Sequence, residues 1–385
     1  MRNKIKLIEP CYGSTYIRHI NGLYLSMKDG IISLSKDRFL WSIESFENDR
    51  FYLGEITGHD KFEYWYGKFQ TALDSGYTEQ HWRLYNKDNK VIIEHADSNL
   101  FIFFSNEENL VMKDGNIDNE GYYFYFEEPS LTNGYPYIEV NSTTNKISLR
   151  FEPSILRIVN KEWLLDWAND LEKAVYSLSR LVGFMPYSRF ELRTYTNCNN
   201  WGYIFYGKPV VHVNNKDMEK EVLRMRKMKK RDISFGMLHE LSHLFDKWCW
   251  DFDGEATANF KLAYVLHELG YTASLNVHND DQTFSYDNYV NLLYEEHGRL
   301  DNVKNLFCSS LTAKLVEIAN VTGWDNVSKV FKTMPPIDNE PKYIRFETFI
   351  NKLSEYSNLN VRAMFSDEEW DTIYNHLNDV KNYKQ

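Results

Sequence analysis

The chain has 385 residues, enough for two domains with separate cores, and with 43% hydrophobic and 26% charged residues its composition is globular, neither disordered nor fibrous. A formal charge of -11 excludes nucleic acid as the main partner, because phosphate-backbone binding depends on a basic face and counterion release. No run approaches the roughly 20 apolar residues of a spanning helix, so no transmembrane segment is expected.

The first residues, MRNKIKLIEPCYG, contain no apolar stretch long enough for a secretory signal, and four scattered cysteines (Cys11, Cys198, Cys249, Cys308) do not fix a compartment. From about residue 14 to 130, short aromatic and aliphatic runs alternate with turn residues, as in NGLYLSMKDG, RFLWSIES, KFEYWYGKF, QHWRLYN and KVIIEHAD. Strands at this density without a helical period describe an all-β domain. Trp41, Trp82 and Tyr123 recur at a spacing of 41 residues. Three units of roughly 40 residues with such anchors resemble a β-trefoil of the ricin-B or fascin-like kind, with a β-sandwich as the alternative. The aromatics read first as core anchors and second as stacking platforms for sugars. Residues 1–131 are thus expected to form a β-trefoil-like domain that binds carbohydrate or protein.

Residues 132–385 are expected to form a second, α+β domain that turns mostly helical toward its end. After a linker and one or two strands, NKEWLLDWANDLEKAVYSLSRLVGFMP places Leu164, Trp167, Leu171, Val175, Leu178 and Val182 on one stripe and stops at Gly183. Strand-like FELRTY and WGYIFYGKPVVHV follow, and then the basic run RMRKMKKRD, which reads as a solvated face or as a receptor for an anionic substrate.

The segment GMLHELSHLFDKWCWDFDGEATANF carries the chemistry. A helix puts His239 and His243 one above the other on the same face, with both imidazoles aimed at one point, and Glu240 on a neighbouring sector. This is the H-E-x-x-H arrangement of zinc peptidases, in which two histidines bind the metal and the glutamate is the general base toward an activated water. Ile233, Met237, Leu238, Leu241, Leu244 and Phe245 bury such a helix, and two buried histidines need a partner. The third ligand is expected from the following helix, DGEATANFKLAYVLHELG, where Glu255 and Asn259 share a face. Glu255 completes a one-zinc site, and Asn259 accepts a hydrogen bond from the far nitrogen of a ligating histidine. Glu268 lies thirteen residues further along that helix, some 20 Å by rise per residue, and is too distant to serve.

HELSHLFDKWCWDFDGEATAN resembles the active-site segment of the M60 (enhancin-like) gluzincin peptidases, and GKPVV, TGWDNVSKVFKTM and FETFINKLSEYSNLNVRAMF extend the resemblance over roughly residues 150 to 370. Ser242 and Asp246 stand where that family often has glycine and glutamine. The resemblance implies that His239, His243 and Glu255 are ligands, Glu240 the base and Asn259 their support. It also implies that Gly207 to Val211, with Gly207 and Pro209, is an edge strand for substrate pairing. Trp250 is implied either to line the substrate pocket, stacking on a sugar, or to pack the loop between the metal helices. Tyr286 and Tyr289 are nearby candidates for stabilising an oxyanion. The family's cleavage of mucin-type O-glycosylated proteins implies a glycoprotein substrate and secretion. The alternatives are a peptidase toxin acting on a non-glycosylated host protein and a non-catalytic glycan binder.

Overall fold

The computed structural model describes all residues except 1–4, 48, 57–59, 74–77, 106–108, 115–116, 196–200, 205–206, 228–230, 248–249, 251, 278–279, 336–339 and 379–385. It divides into two compact units, Met1–Ile138 and Glu139–Gln385.

The first unit is all-β. Its strands are β1 (Lys6–Leu7), β2 (Cys11–His19), β3 (Tyr24–Lys28), β4 (Ile31–Ser35), β5 (Leu40–Glu47), β6 (Arg50–Glu55), β7 (Asp60–Trp65), β8 (Lys68–Leu73), β9 (Trp82–Lys87), β10 (Lys90–His95), β11 (Phe101–Phe104), β12 (Leu110–Lys113) and β13 (Phe124–Asn133). Strands β2, β5, β6, β9, β10 and β13 pair antiparallel in that order, and β13 returns to β2. The ring closes into a barrel, which removes the sandwich alternative. Three hairpins, β3–β4, β7–β8 and β11–β12, interrupt it at matching points. Asp29–Gly30 and Tyr66–Gly67 make two of the hairpin turns with positive φ at both residues, the geometry that matches strand twist. The expected boundary at residue 131 falls inside β13, whose pairing with β2 continues to Asn133.

The repeat seen in the sequence is real in its first two members and displaced in its third. Trp41 lies across from Thr15 and Glu55, and Trp82 across from Phe51 and His95. Both are fully buried, and their indole N–H groups donate to Leu25 O at 2.7 Å and Phe62 O at 2.8 Å, equivalent sites on β3 and β7. The residue that pairs in the same way with Val91 and His19 is Phe124. Tyr123 instead packs with Ile92, Phe101 and Tyr122 in a separate cluster. A strand's side chains alternate between faces, so one residue of offset exchanges core for periphery.

The second unit holds a five-stranded sheet in the order β14 (Ile138–Asn141), β15 (Ile147–Phe151), β16 (Phe190–Tyr195), β18 (Val210–Asn214), β17 (Gly202–Ile204). Strands β15, β16 and β18 run parallel and β17 runs antiparallel to β18. Helix α1 (Lys161–Val182) links β15 to β16; Asn160 caps its start, Gly183 ends it at φ 84°, and every residue of the expected apolar stripe is buried. The rest is a helical region: α2 (Asn215–Lys227), α3 (Phe235–His243), α4 (Gly254–Leu269), the hairpin β19 (Ala273–Val277) and β20 (Asp280–Phe284), then α5 (Tyr286–His297), α6 (Phe307–Thr322), α7 (Trp324–Thr333), α8 (Lys342–Ser357) and α9 (Asp367–Asn378). None of the described helices is long and apolar enough to cross a membrane.

The expected edge strand is corrected here, and of the two readings of the basic run the solvated face fits Arg226, Lys227 and Arg231, which are exposed. Val210–Asn214 is an inner strand, flanked by β16 and β17, so the edge belongs to Gly202–Ile204, while Gly207 and Pro209 lie in the loop between the two. The Pro209 carbonyl accepts from Glu191 N at 2.7 Å, which extends the pairing with β16. The described arginines of the basic run are also engaged by the chain itself: Arg224 is buried against Glu221 and Ser274, Arg226 donates to Ile158 O at 2.6 Å, and Arg231 pairs with Asp170.

Candidate metal centre

Helix α3 starts at Ser234, whose hydroxyl oxygen accepts from Met237 N at 3.3 Å and donates to Glu221 Oε2 at 2.9 Å. Its backbone sits at φ 67°, a costly conformation for a non-glycine residue, and its N–H is held by Asp232 Oδ1 at 2.8 Å. Burial raises the carboxyls of Glu221 and Asp232 above their usual range, with Arg224 opposing the shift in both. The helix then buries Met237, Leu238 and Leu241, which turns His239 and His243 toward α4. Helix α4 begins at Asp253, whose side chain accepts from Ala256 N at 2.9 Å, so Glu255 stands in the first turn facing the histidines.

His239 Nε2 lies 3.1 Å from His243 Nε2 and 3.0 Å from Glu255 Oε2, and His243 Nε2 lies 3.5 Å from Glu255 Oε1. Tetrahedral zinc with nitrogen and oxygen ligands about 2.0–2.1 Å away separates those ligands by about 3.3 Å. The donor set therefore fits a zinc ion, and His239, His243 and Glu255 form a group that can hold one metal per chain. The far nitrogens are fixed as donors: His239 Nδ1–H donates to Asn259 Oδ1 at 2.8 Å and His243 Nδ1–H to Asp246 Oδ2 at 3.2 Å. Each ring thus presents the Nε2 side inward, as metal-binding histidines do. Asn259 is where the sequence places it; Asp246 carries a role the sequence reading did not assign, although it sits one turn past His243.

Burial and the neighbouring charges both act on the titratable groups of the site. Burial favours a neutral His243, but Asp246 and Glu255 outweigh it and push its pKa up to about 9. Hydrogen bonds from His239 and His243 hold the Glu255 carboxyl far below the usual range. Burial lifts the proton affinity of Glu240, with Glu255 adding to it and the two histidines opposing it.

Strand β17 passes over Glu240. A Cβ added to Gly202 would lie in ordinary van der Waals contact with Glu240, 3.5 Å from Cγ and 3.7 Å from Oε1, which places the strand's backbone directly over the carboxylate. The Trp201 indole lies on Gly236, one turn before His239 and Glu240, where an added Cβ would meet the ring at 2.3 Å. Neither contact was legible in the sequence, because the strand order that creates them is non-local.

Other candidates are not brought to the site. Trp250 is fully buried, with ring centroids 5.0 Å from Phe331 and 6.3 Å from Phe184, so its faces are covered by protein and unavailable to a sugar. Its role is packing of the loop between α3 and α4. Trp250→Ala is expected to cost about 3–5 kcal/mol of stability, as truncation of a buried aromatic does; equilibrium denaturation checks this, and unchanged stability with weakened glycopeptide binding would restore the stacking role. Tyr289 is fully buried and its hydroxyl donates to Asn259 O at 3.2 Å, while the Tyr286 hydroxyl is held by Asn320 and by Trp324 Nε1 at 2.7 Å. Both hydroxyls support the helices rather than face a substrate. Glu268 pairs with Arg180 at 2.8 Å.

No protein-family model and no curated protein matches the chain. Among solved structures it is similar to Cry35Ab1, with 17% identity over 32% of this chain and 36% of that one and a TM-score of 0.26. It is also similar to a conserved protein of unknown function from Bacillus anthracis str. Ames, with 11% identity over 97% of this chain and 71% of that one and a TM-score of 0.46. A third likeness is to a metallopeptidase in complex with Tn antigen, with 10% identity over 95% of this chain and 65% of that one and a TM-score of 0.43. At these scores the likenesses carry neither fold nor activity across to this chain.

Proposed function

We propose that this protein is a zinc-dependent endopeptidase of the gluzincin kind, similar to the M60 peptidases, that cleaves O-glycosylated proteins, with the first unit a β-trefoil that binds carbohydrate. The observation that carries the catalytic reading is the convergence of His239 Nε2, His243 Nε2 and a Glu255 carboxylate within 3.0–3.5 Å, with Glu240 one residue from the first ligand and beneath an edge strand. The closed six-stranded barrel with three hairpins supports the trefoil reading. The mucin-type substrate class rests on the sequence resemblance alone.

His239, His243 and Glu255 would hold a zinc ion, which when bound would supply Lewis-acid activation of a water molecule and of the scissile carbonyl. Asn259 and Asp246 keep the two imidazoles in the tautomer and orientation that ligation needs. Glu240 removes a proton from the attacking water at its carboxylate, where burial has raised proton affinity, and returns it to the leaving amine nitrogen. Strand β17 is the last in its sheet, and its outer backbone groups at Gly202–Ile204 can add a substrate strand whose scissile bond then lies above Glu240. Residues Gly207 and Pro209 have no part in that pairing.

Digestion of a mucin-type glycoprotein, with and without prior removal of O-glycans and read by mass spectrometry, tests the substrate class. New peptide termini only from the glycosylated form are expected. Equal cleavage of both forms would assign the enzyme to unmodified protein targets instead.

A further inference from the structure

Helix α4 contains one charged residue in its most buried stretch. Lys261 follows Phe260 and precedes Leu262 and Ala263, and its side chain has 0% exposure. The ammonium pairs with Oδ1 of Asp246, itself 5% exposed, and the Thr257 hydroxyl lies 3.5 Å from the same oxygen. The other carboxylate oxygen of Asp246 receives the His243 Nδ1–H. Burying an ammonium and a carboxylate together costs several kcal/mol of desolvation, and an apolar pair of similar volume often holds a core as well or better. Packing alone therefore does not account for a lysine here.

What the pair supplies is orientation. Asp246 lies beyond the end of α3, held at one oxygen from α4, the same rigid helix that carries Glu255 and Asn259. Its carboxylate has two oxygens with different tasks, one toward Lys261 and one toward His243. We propose that Lys261 is a positioning residue of the metal centre: by fixing Asp246 Oδ1 it turns Oδ2 onto His243 Nδ1 and so aims His243 Nε2 at the metal. This rests on the zinc-site reading above. On this proposal Lys261 acts on the metal centre through Asp246, and that ordering makes the idea testable.

The test compares zinc affinity, by chelator competition, and the visible spectrum of the cobalt-loaded protein in wild type, Asp246→Asn, Lys261→Met and the double variant. Losing an outer hydrogen-bond partner of a metal-binding histidine costs about 10–100-fold in affinity, and Lys261→Met should weaken zinc binding to a similar extent and shift the cobalt spectrum as Asp246→Asn does. The double variant should match Asp246→Asn within about twofold, because the two residues act in series and not independently. Thermal unfolding of the metal-free proteins reads any packing loss separately. Lys261→Met with wild-type zinc affinity, or a double variant whose loss is the product of the two single losses, overturns the proposal. If Lys261→Met does not fold, the double variant, which leaves no uncompensated buried carboxylate, decides by the same comparison with Asp246→Asn. A wild type that takes up no zinc overturns the zinc-site reading and the role of Lys261 with it, and it is recognised before any variant is made.

Discussion

Glu240→Gln lowers the rate of peptide-bond cleavage by about 10²–10⁴-fold, the contribution of a positioned general base, while zinc affinity stays within about twofold of wild type. The split follows from position. Glu240 is on α3 beside His239 but on another sector of the helix, and the ligand group consists of His239, His243 and Glu255 without it. Glutamine keeps the shape beneath Gly202 and removes the proton acceptor. Steady-state kinetics on a glycopeptide, together with zinc titration of the same protein, check both halves. A variant that still cleaves at wild-type rate removes Glu240 from the mechanism, and one that loses zinc as well reassigns it to the metal.

Glu255→Ala has the complementary signature. Removing the carboxylate leaves two imidazole nitrogens 3.1 Å apart with no anionic ligand, and zinc affinity should fall by more than the roughly 100-fold that loss of an outer partner costs. Cleavage disappears with the metal and returns only in part at high zinc. Metal content after dialysis against a chelator measures this directly. Stoichiometric zinc retained by Glu255→Ala would mean that another group is the third ligand.

How much of this could be read from the sequence depended on the range over which each feature is determined. His239, His243, Glu240, Glu255 and Asn259 are set by helical spacing and by the cap at Asp253, which are local; the helices carry His239, His243 and Glu255 to one point and leave Asn259 on the far nitrogen of His239. The apolar stripe of α1 and its stop at Gly183 were equally local. The edge strand was misplaced because strand order is a long-range property: VVHVN and GYI look alike in isolation, and only the pairing of Val210–Asn214 with both β16 and β17 makes it an inner strand. Trp250 was ambiguous because a large aromatic beside a metal motif suits a pocket or a core, and its neighbours Phe184 and Phe331 come from segments far away in sequence. In the barrel, a constant spacing of 41 selected Tyr123, whereas the strand register selects Phe124.

The role of Asp246 shows a subtler limit. Its departure from the glutamine common in the resembled family is visible in the sequence and reads there as a change in pocket shape away from the ligands; its contact with His243 and its second partner, Lys261, fifteen residues further along the chain, emerge only in the fold. A lysine amid FKLAYVL reads as an interruption of an apolar face until the buried carboxylate opposite it is known.

The measurement that bears most directly on the central claim is cleavage of a mucin-type glycoprotein by wild-type protein before zinc removal, after removal, and after stoichiometric zinc is restored, with new termini identified by mass spectrometry. Termini that vanish on stripping and reappear with one zinc per chain are the predicted result. Termini that persist in the zinc-free protein, or that never form with the zinc-loaded one, would contradict it.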